Sequence, residues 1–300
     1  MEDFASSAMM RLVGAGLRRQ GIAPSGGRPE PGGHVALASK RAALLAIAEH
    51  HGPLALLRIG EAIEDVGDEP TLAALEPASD PLEIIERWRR LEGYVHSKHR
   101  TEILESDERS VVVRHHAYRG SEPPLREEDL LIFGVIVALV RWVGASGVRA
   151  TPVGETQWCY QDEWIVAPSS ASAAAWTIEW ADVDEERSKI PVGNSSLADL
   201  LREDLSRKWS VAQAALALGK SARSLQRELG EAGMTYSQVV ASVRAAAAMR
   251  MLQSSKRSLG EIGFLCGYAD QAHFTRSFRN EMAATPSDIR AGLEVQAGAR

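Results

Sequence analysis

The sequence predicts an α+β front domain of mixed helices and strands, followed by an all-α domain made of two similar helix pairs joined by a long helix. Three observations carry that prediction. Aromatic and β-branched stretches, the mark of strands, occur only before residue 182, whereas Leu197 to about Leu293 reads as helices punctuated by Gly, Ser and Asp. The turn residues Pro191 to Ser196 (PVGNSS) separate the two regions. Charge divides at the same place: residues 200–300 hold 14 Lys+Arg and 9 Asp+Glu, leaving 20 against 31 for residues 1–199 and a whole-chain net charge of -6.

At 300 residues and 45% apolar composition there is room for two cores without staples, and the two cysteines, Cys159 and Cys266, exclude a disulfide framework. Both are expected to be buried rather than redox-sensing, in a reducing cytoplasm. The longest apolar run, Leu130 to Val140, falls short of the ~20 residues that cross a bilayer. The start Met1, Glu2, Asp3 carries no basic, then apolar, export pattern. No membrane association is expected.

In order along the chain, the Pro/Gly cluster Pro24 to Gly33 cannot continue a helix, so residues 1–30 are expected to be a poorly ordered helix and linker. Val35 to Glu49 and Pro81 to Tyr94 have apolar residues at helical spacing, the second through Leu82, Ile84, Ile85, Trp88 and Leu91. Ser110 to Tyr118 reads as a strand, Leu130 to Val143 as a helix whose apolar face is either domain core or subunit contact, and Thr156 to Ala167 and Ala174 to Ala181 as strands. Residues 31–190 therefore form the expected effector-binding and dimerisation domain, and residues 191–199 a linker.

Within that domain Trp158, Tyr160, Trp164, Trp176 and Trp180 concentrate large aromatics as the wall of an effector pocket would, although core packing is the favoured explanation of the cluster. The histidines His50, His51, His96, His99, His115 and His116 raise the question of a metal. His96 and His99 are three apart and could share a helix face, but the other pairs are adjacent, which points their rings apart. No metal and no cofactor are expected.

Residues 200–300 carry the chemistry. Ser210 can cap a helix over Val211 to Leu218, which Gly219 ends; Ser221 can cap a second over Ala222 to Ala232. Leu225 and Leu229 then face a core while Arg223, Gln226 and Arg227 face outward, the composition of a recognition helix, because Arg pairs bidentately with guanine and Gln with adenine. The same grammar returns about 49 residues later: Leu259 to Cys266, Gly267, Asp270 as cap, and Gln271 to Asn280. Phe264, Leu265, Phe274 and Phe278 read as core of this second unit; Gln271, His273, Thr275, Arg276 and Arg279 remain outward. Tyr236 to Leu252 between them spans roughly 25 Å as a helix and would hold the recognition helices near one DNA turn apart. Arg250, Lys256 and Arg257, at the end of that helix and in its following turn, fit phosphate rather than bases.

The ordered series SARSLQRELGEAGMTYSQVV, RMLQSSKRSLGEIGFLCGYADQAHFTRSFRNEM and TPSDIR resembles the DNA-binding domain of the AraC/XylS family of bacterial transcription regulators, over about Leu200 to Leu293. The resemblance implies two helix-turn-helix units on double-stranded promoter DNA. It puts base contacts on Arg223, Gln226, Arg227, Gln271, His273, Thr275 and Arg276; phosphate contacts are expected at Ser221, Arg250, Lys256, Arg257 and Arg279. A homodimer, a small-molecule effector and RNA polymerase follow as expected partners. Two positions depart from the family pattern, Met282-Ala283 in place of Phe-Gly and Ile289 in place of an aromatic residue. The front region, through GPLALLRIG and DPLEIIERWRRLEGY, resembles the branch labelled an arabinose-binding domain and not the cupin barrel, which needs a strand-rich start. The competing classes are an interaction protein with a degenerate DNA module and a metal-dependent enzyme in the front domain.

Overall fold

In the computed structural model, which describes residues 4–24, 34–66, 70–73, 75, 78–95, 98–169, 173–184, 196–205, 207 and 209–297, the chain forms two units. The described residues up to Val66 and from Ala78 to Asp184 make the first; Pro70–Ala73, Leu75 and the residues from Ser196 onward make the second.

The first unit begins with strand β1 (Phe4–Ser6), helix α1 (Ser7–Arg19) and strand β2 (His34–Ala36), β1 and β2 pairing antiparallel. The expectation of a poorly ordered start is corrected for residues 4–24: Leu12, Val13, Ala15 and Leu17 of α1 are buried. The rest of the Pro/Gly cluster, residues 25–33, lies outside the described residues. Helices α2 (Leu37–His51) and α3 (Leu54–Leu57) follow, then a 3-10 helix, Arg58–Val66, against which α1 packs. After α4 (Pro70–Ala73), which belongs to the second unit, come α5 (Pro81–Val95), β3 (His99–Ser106), β4 (Ser110–Ala117) and α6 (Arg126–Trp142). The unit closes with β5 (Ala145–Ser146), β6 (Arg149–Pro152), β7 (Tyr160–Gln161), β8 (Ala175–Glu179) and β9 (Asp182–Val183).

Strands β3, β4, β8, β6 and β7 lie in that order in one open antiparallel sheet, and β5 pairs with β9. The sheet is not a barrel. Helix α6 is the centre of the unit: Leu130, Leu131, Phe133, Ile136, Leu139 and Val140 are fully buried, which settles its apolar face as core. It packs on the 3-10 helix at Gly134 and Gly60, where an added Cβ on Gly60 would stand 2.2 Å from the Gly134 carbonyl oxygen. Two expectations about strands change here. Thr156 to Ala167 is mostly loop, because Asp162 turns the backbone at a φ of 55° directly after β7. The longest of the missed strands, β3, reads HRTEILES, and its exposed second half hides the alternation that would reveal it.

The second unit is helical: α7 (Ser196–Glu203), α8 (Val211–Ala217), α9 (Ala222–Glu231), α10 (Tyr236–Ser254), α11 (Leu259–Leu265), α12 (Gln271–Met282) and α13 (Pro286–Ala297). Leu197, Leu201, Ala214, Ala215, Leu225, Val239 and Val243 form one core, to which α7, α8, α9 and α10 contribute. Beyond it, Phe274 and Phe278 are fully buried at 5.6 Å from one another, and Tyr268 packs 5.0 Å from Phe274. The short helix α4 packs on α10 and α12, and its Leu72 and Ala73 are buried with Leu75. Gly67 to Glu76 was expected with the front domain; its described residues instead complete this unit. Residues 191–195 of the expected linker lie outside the described residues. Among the described residues no helix is long and apolar enough to cross a membrane.

Candidate nucleic-acid interface

Each helix from α8 to α12 starts where a side-chain oxygen accepts an otherwise unpaired backbone N–H. Ser210 accepts from Gln213, Ser221 from Ser224, Thr235 from Gln238, Ser258 from Glu261 and Asp270 from His273. At Ser210, Thr235 and Ser258 the third helical residue returns the bond to the cap's own N–H. Helices α8 and α11 end alike. Gly219 and Gly267 take φ values of 67° and 77°, and the next N–H reaches back five residues, from Lys220 to Ala215 and from Tyr268 to Gly263. These local rules make two capped helix pairs, α8 with α9 and α11 with α12.

On α9 Leu225 is buried, whereas Arg223, Gln226 and Arg227 are exposed; Arg227 lies 3.6 Å from Glu231 in an exposed pair. On α12 Phe274 and Phe278 are buried, whereas Gln271, Arg276 and Arg279 are exposed. The structure thus leaves one polar face on each helix. Two expected members sit differently. Thr275 is half-buried and its hydroxyl donates to the Gln271 carbonyl at 2.9 Å. His273 is half-buried, its Nδ1 accepting from the Ala269 N–H at 3.3 Å and its ring edge-on to Tyr268. The Ser221 hydroxyl accepts the Ser224 N–H as a cap, Lys256 and Arg257 are exposed, and Arg250 is half-buried.

Two residues assigned to core are not core: Phe264 is 75% exposed and Leu265 is exposed as well. The inward face of α11 is set by Ile262 and Cys266, four apart, and two residues along from Ile262 points Phe264 to the opposite side. Leu216 of α8, 79% exposed, holds the corresponding place in the other pair.

In the first unit the five aromatics divide. Trp176 is fully buried, stacked on Phe133 at 5.3 Å, and Trp180 is buried; Trp158 is half-buried under Arg149. Tyr160 and Trp164 line a cleft of about 320 Å³ bordered by Gly60, Glu61, Arg141 and Trp142. There Arg141 donates to the Tyr160 hydroxyl at 3.1 Å. The cleft contains two of the five expected pocket residues; Trp158, Trp176 and Trp180 do not border it.

A buried ionic cluster, which sequence reasoning missed, lies where α2, α5, β3, β4 and α6 meet. Lys40 and Arg41 both donate to Glu128, each at 3.1 Å, and His115 pairs with Asp129 at 2.8 Å. His99 is not on a helix with His96, which lies outside the described residues; it is on β3, its ring 5.3 Å from that of His115. The register sets Thr101 opposite His115, so the two histidines are diagonal neighbours on one sheet face. Burial drives Asp129 up to about 8, aided by Glu128 and Glu127, and drives His115 down to about 3 and His99 down to about 4. Burial alone would raise Glu128, but Lys40, the Leu125 N–H and His99 hold it below the ordinary carboxylate range. Among the described residues no group of three or more His, Cys, Asp or Glu is arranged to hold a metal.

Comparison with known proteins bears on the helical unit. A family model described as a helix-turn-helix domain matches residues 200–292. Over these residues the chain is similar to AraC-type DNA-binding regulators. The ornithine utilization regulator of Pseudomonas aeruginosa is 42% identical over 78 residues, covering 26% of this chain and 23% of that protein. The urease operon transcriptional activator of Escherichia coli is 29% identical over 97 residues, 32% of this chain and 33% of that protein. The transcriptional activator RhaS of Klebsiella pneumoniae is 37% identical over 76 residues, 25% and 27%. The match thus spans a quarter to a third of these relatives' own length. Among solved structures, an AraC-type transcriptional regulator from Chromobacterium violaceum aligns with 28% identity, 32% of this chain, 87% of that chain and a TM-score of 0.31.

Proposed function

We propose that the protein is a sequence-specific DNA-binding transcription regulator in which α8–α9 and α11–α12 act as two helix-turn-helix units. The observation that carries this reading is the pair of capped helices, α9 and α12, each buried by Leu or Phe on one side and bearing exposed Arg and Gln on the other. Helix α10 joins them; its 19 residues make about 28 Å, near the ~34 Å of one DNA turn. Arg223, Gln226 and Arg227, and Gln271 and Arg276, read base edges in adjacent major grooves; His273 and Thr275 complete the second set where their rotamers turn outward. Ser221, Arg250, Lys256, Arg257 and Arg279 neutralise phosphates.

The front unit takes a small-molecule effector and supports a homodimer, RNA polymerase being a further partner; the protein works in the cytoplasm and catalyses no reaction. The regulators among its relatives support this. The cleft bordered by Tyr160 and Trp164 is the effector's place in this reading, and an effector shifts DNA binding only through unequal affinity for two states of the protein.

The test is enrichment of random duplexes by the full chain at two salt concentrations, with Arg276→Ala alongside. A bipartite site, its halves about one helical turn apart and its second half lost in the variant, is the expected result. Salt-sensitive binding without sequence preference would sink the reading and leave an interaction protein with a degenerate DNA module.

A further inference from the structure

The helical unit holds a pocket of about 330 Å³ whose lining differs from the rest of its surface. Arg207, Arg244 and His273 border it together with Trp209 and Tyr268, and none of the described residues lining it is acidic. Trp209 and Tyr268 each bring one polar atom, the indole Nε1 and the phenol oxygen. Both atoms are buried and make no hydrogen bond with the protein, and Tyr268 is 5% exposed. A buried donor without an acceptor costs ~1–3 kcal/mol, so two beside one pocket call for an acceptor inside it.

The surroundings are built and held. The Arg207 guanidinium stacks 3.7 Å from the Trp209 ring, and Arg244 Nη2 donates to the Leu205 carbonyl at 3.1 Å. The Tyr236 hydroxyl donates to the Trp209 carbonyl at 3.1 Å. His273 Nδ1 accepts from Ala269, which places the neutral ring's proton on Nε2 as a further donor. Gly267 allows the close approach: an added Cβ would stand 2.0 Å from the Leu205 oxygen and 2.9 Å from Arg244 Nη2.

We propose that this pocket binds an oxyanion, a phosphate or carboxylate group, between Arg207, Arg244 and His273, with Trp209 Nε1 and the Tyr268 hydroxyl donating to it. Two guanidinium groups, an indole N–H and a phenol supply donors, the complement of an anionic oxygen, and the carboxylate that acts on Tyr268, Glu281, is not among the residues lining the pocket. Its source is either a free small anion or a backbone phosphate of bound duplex; the second alone rests on the regulator reading. In the rotamer seen here His273 borders the pocket.

The test follows the Trp209 indole N–H resonance in full-length protein, identified through Trp209→Phe, during titration with inorganic phosphate, with acetate, and with a random-sequence duplex, against sodium chloride at matched ionic strength. Saturable movement with phosphate or acetate, its midpoint raised about ten- to a hundredfold in Tyr268→Phe as for loss of one hydrogen bond to a charged group, establishes the free anion. Movement with duplex alone, lost in Tyr268→Phe, establishes the backbone phosphate. The other six tryptophans all lie in the first unit, so the backbone amide signals of α10 and α12 in the free variant report whether it keeps the fold of the helical unit. A Trp209 signal that stays still under every ligand, while fluorescence anisotropy shows the duplex bound, overturns the proposal and leaves the regulator reading intact. Movement with phosphate in a protein that binds no duplex does the reverse.

Discussion

Ala283 ends α12 at a φ of 60°, a left-handed conformation that costs a residue with a Cβ about 1 kcal/mol relative to glycine. The family pattern that this sequence resembles has glycine there, and the geometry has survived the substitution. Ala283→Gly is therefore expected to raise unfolding stability by about 1 kcal/mol in urea denaturation, less a few tenths for the greater freedom of the unfolded chain. A second residue, Glu92, is pushed up to about 7 by burial although Thr101 and Trp88 donate to it and Arg100 acts against the rise. Its folded pKa lies above the ~4.3 of an unfolded chain, so the stability it contributes is full below that value and is lost as pH rises through 7. Glu92→Gln should flatten the decline between pH 5 and 8 by up to ~3 kcal/mol, whatever its effect on absolute stability. Asp129, raised to about 8, acts in the same direction; His115 and His99, lowered to about 3 and 4, contribute stability that disappears as pH falls below ~6.5.

At the scale of elements, the two helix pairs share their local grammar and differ in what surrounds the turn. Gly219 and Gly267 both adopt positive φ, but a Cβ at Gly219 meets nothing within 4 Å, whereas one at Gly267 would strike the Leu205 backbone. Gly219→Ala should cost about 1 kcal/mol and Gly267→Ala several, a difference that chemical denaturation of the two variants would show. The polar faces predict equally separable effects on DNA. Arg276→Ala should lower affinity for the enriched site by ~10- to 100-fold and relax preference at one base pair. Lys256→Ala should weaken all sequences alike and reduce the slope of log affinity against log salt by about one. Quantitative binding to matched and mutated duplexes at two salt concentrations distinguishes the two classes of contact.

At the scale of the whole molecule, the division of charge along the chain lies near the division into units, the basic third ending in the helical unit. The exception is α4, which leaves its sequence neighbours to pack on α10 and α12. Leu72→Asp should therefore destabilise the helical unit, seen as earlier loss of amide protection in α10 and α12 than in the sheet; the opposite order would mean that α4 contributes little there. The capped pairs were legible because capping needs only residues three apart, as at Ser210 and Gln213, and turns need only the glycine that tolerates them. Helix α4 was not legible, because four residues carry no period that says which surface they cover. Helix α1 was misjudged from the Pro/Gly cluster after it, although Leu12, Val13 and Leu17 are buried by tertiary packing.

The sequence by itself determined the class of each half, the helix pairs with their caps and turns, and the outward placing of Arg223, Gln226, Arg227, Gln271 and Arg276. Each follows from interactions within a few residues or from one repeating period. Only the tertiary structure decided that His99, His115, Lys40 and Glu128 share one buried cluster, that Phe264 faces solvent, and that Trp209 and Tyr268 bring unpaired donors to one pocket. Burial is a property of what lies across the fold, and partners 59 residues apart in the chain, as Trp209 and Tyr268 are, leave no local signature of their meeting.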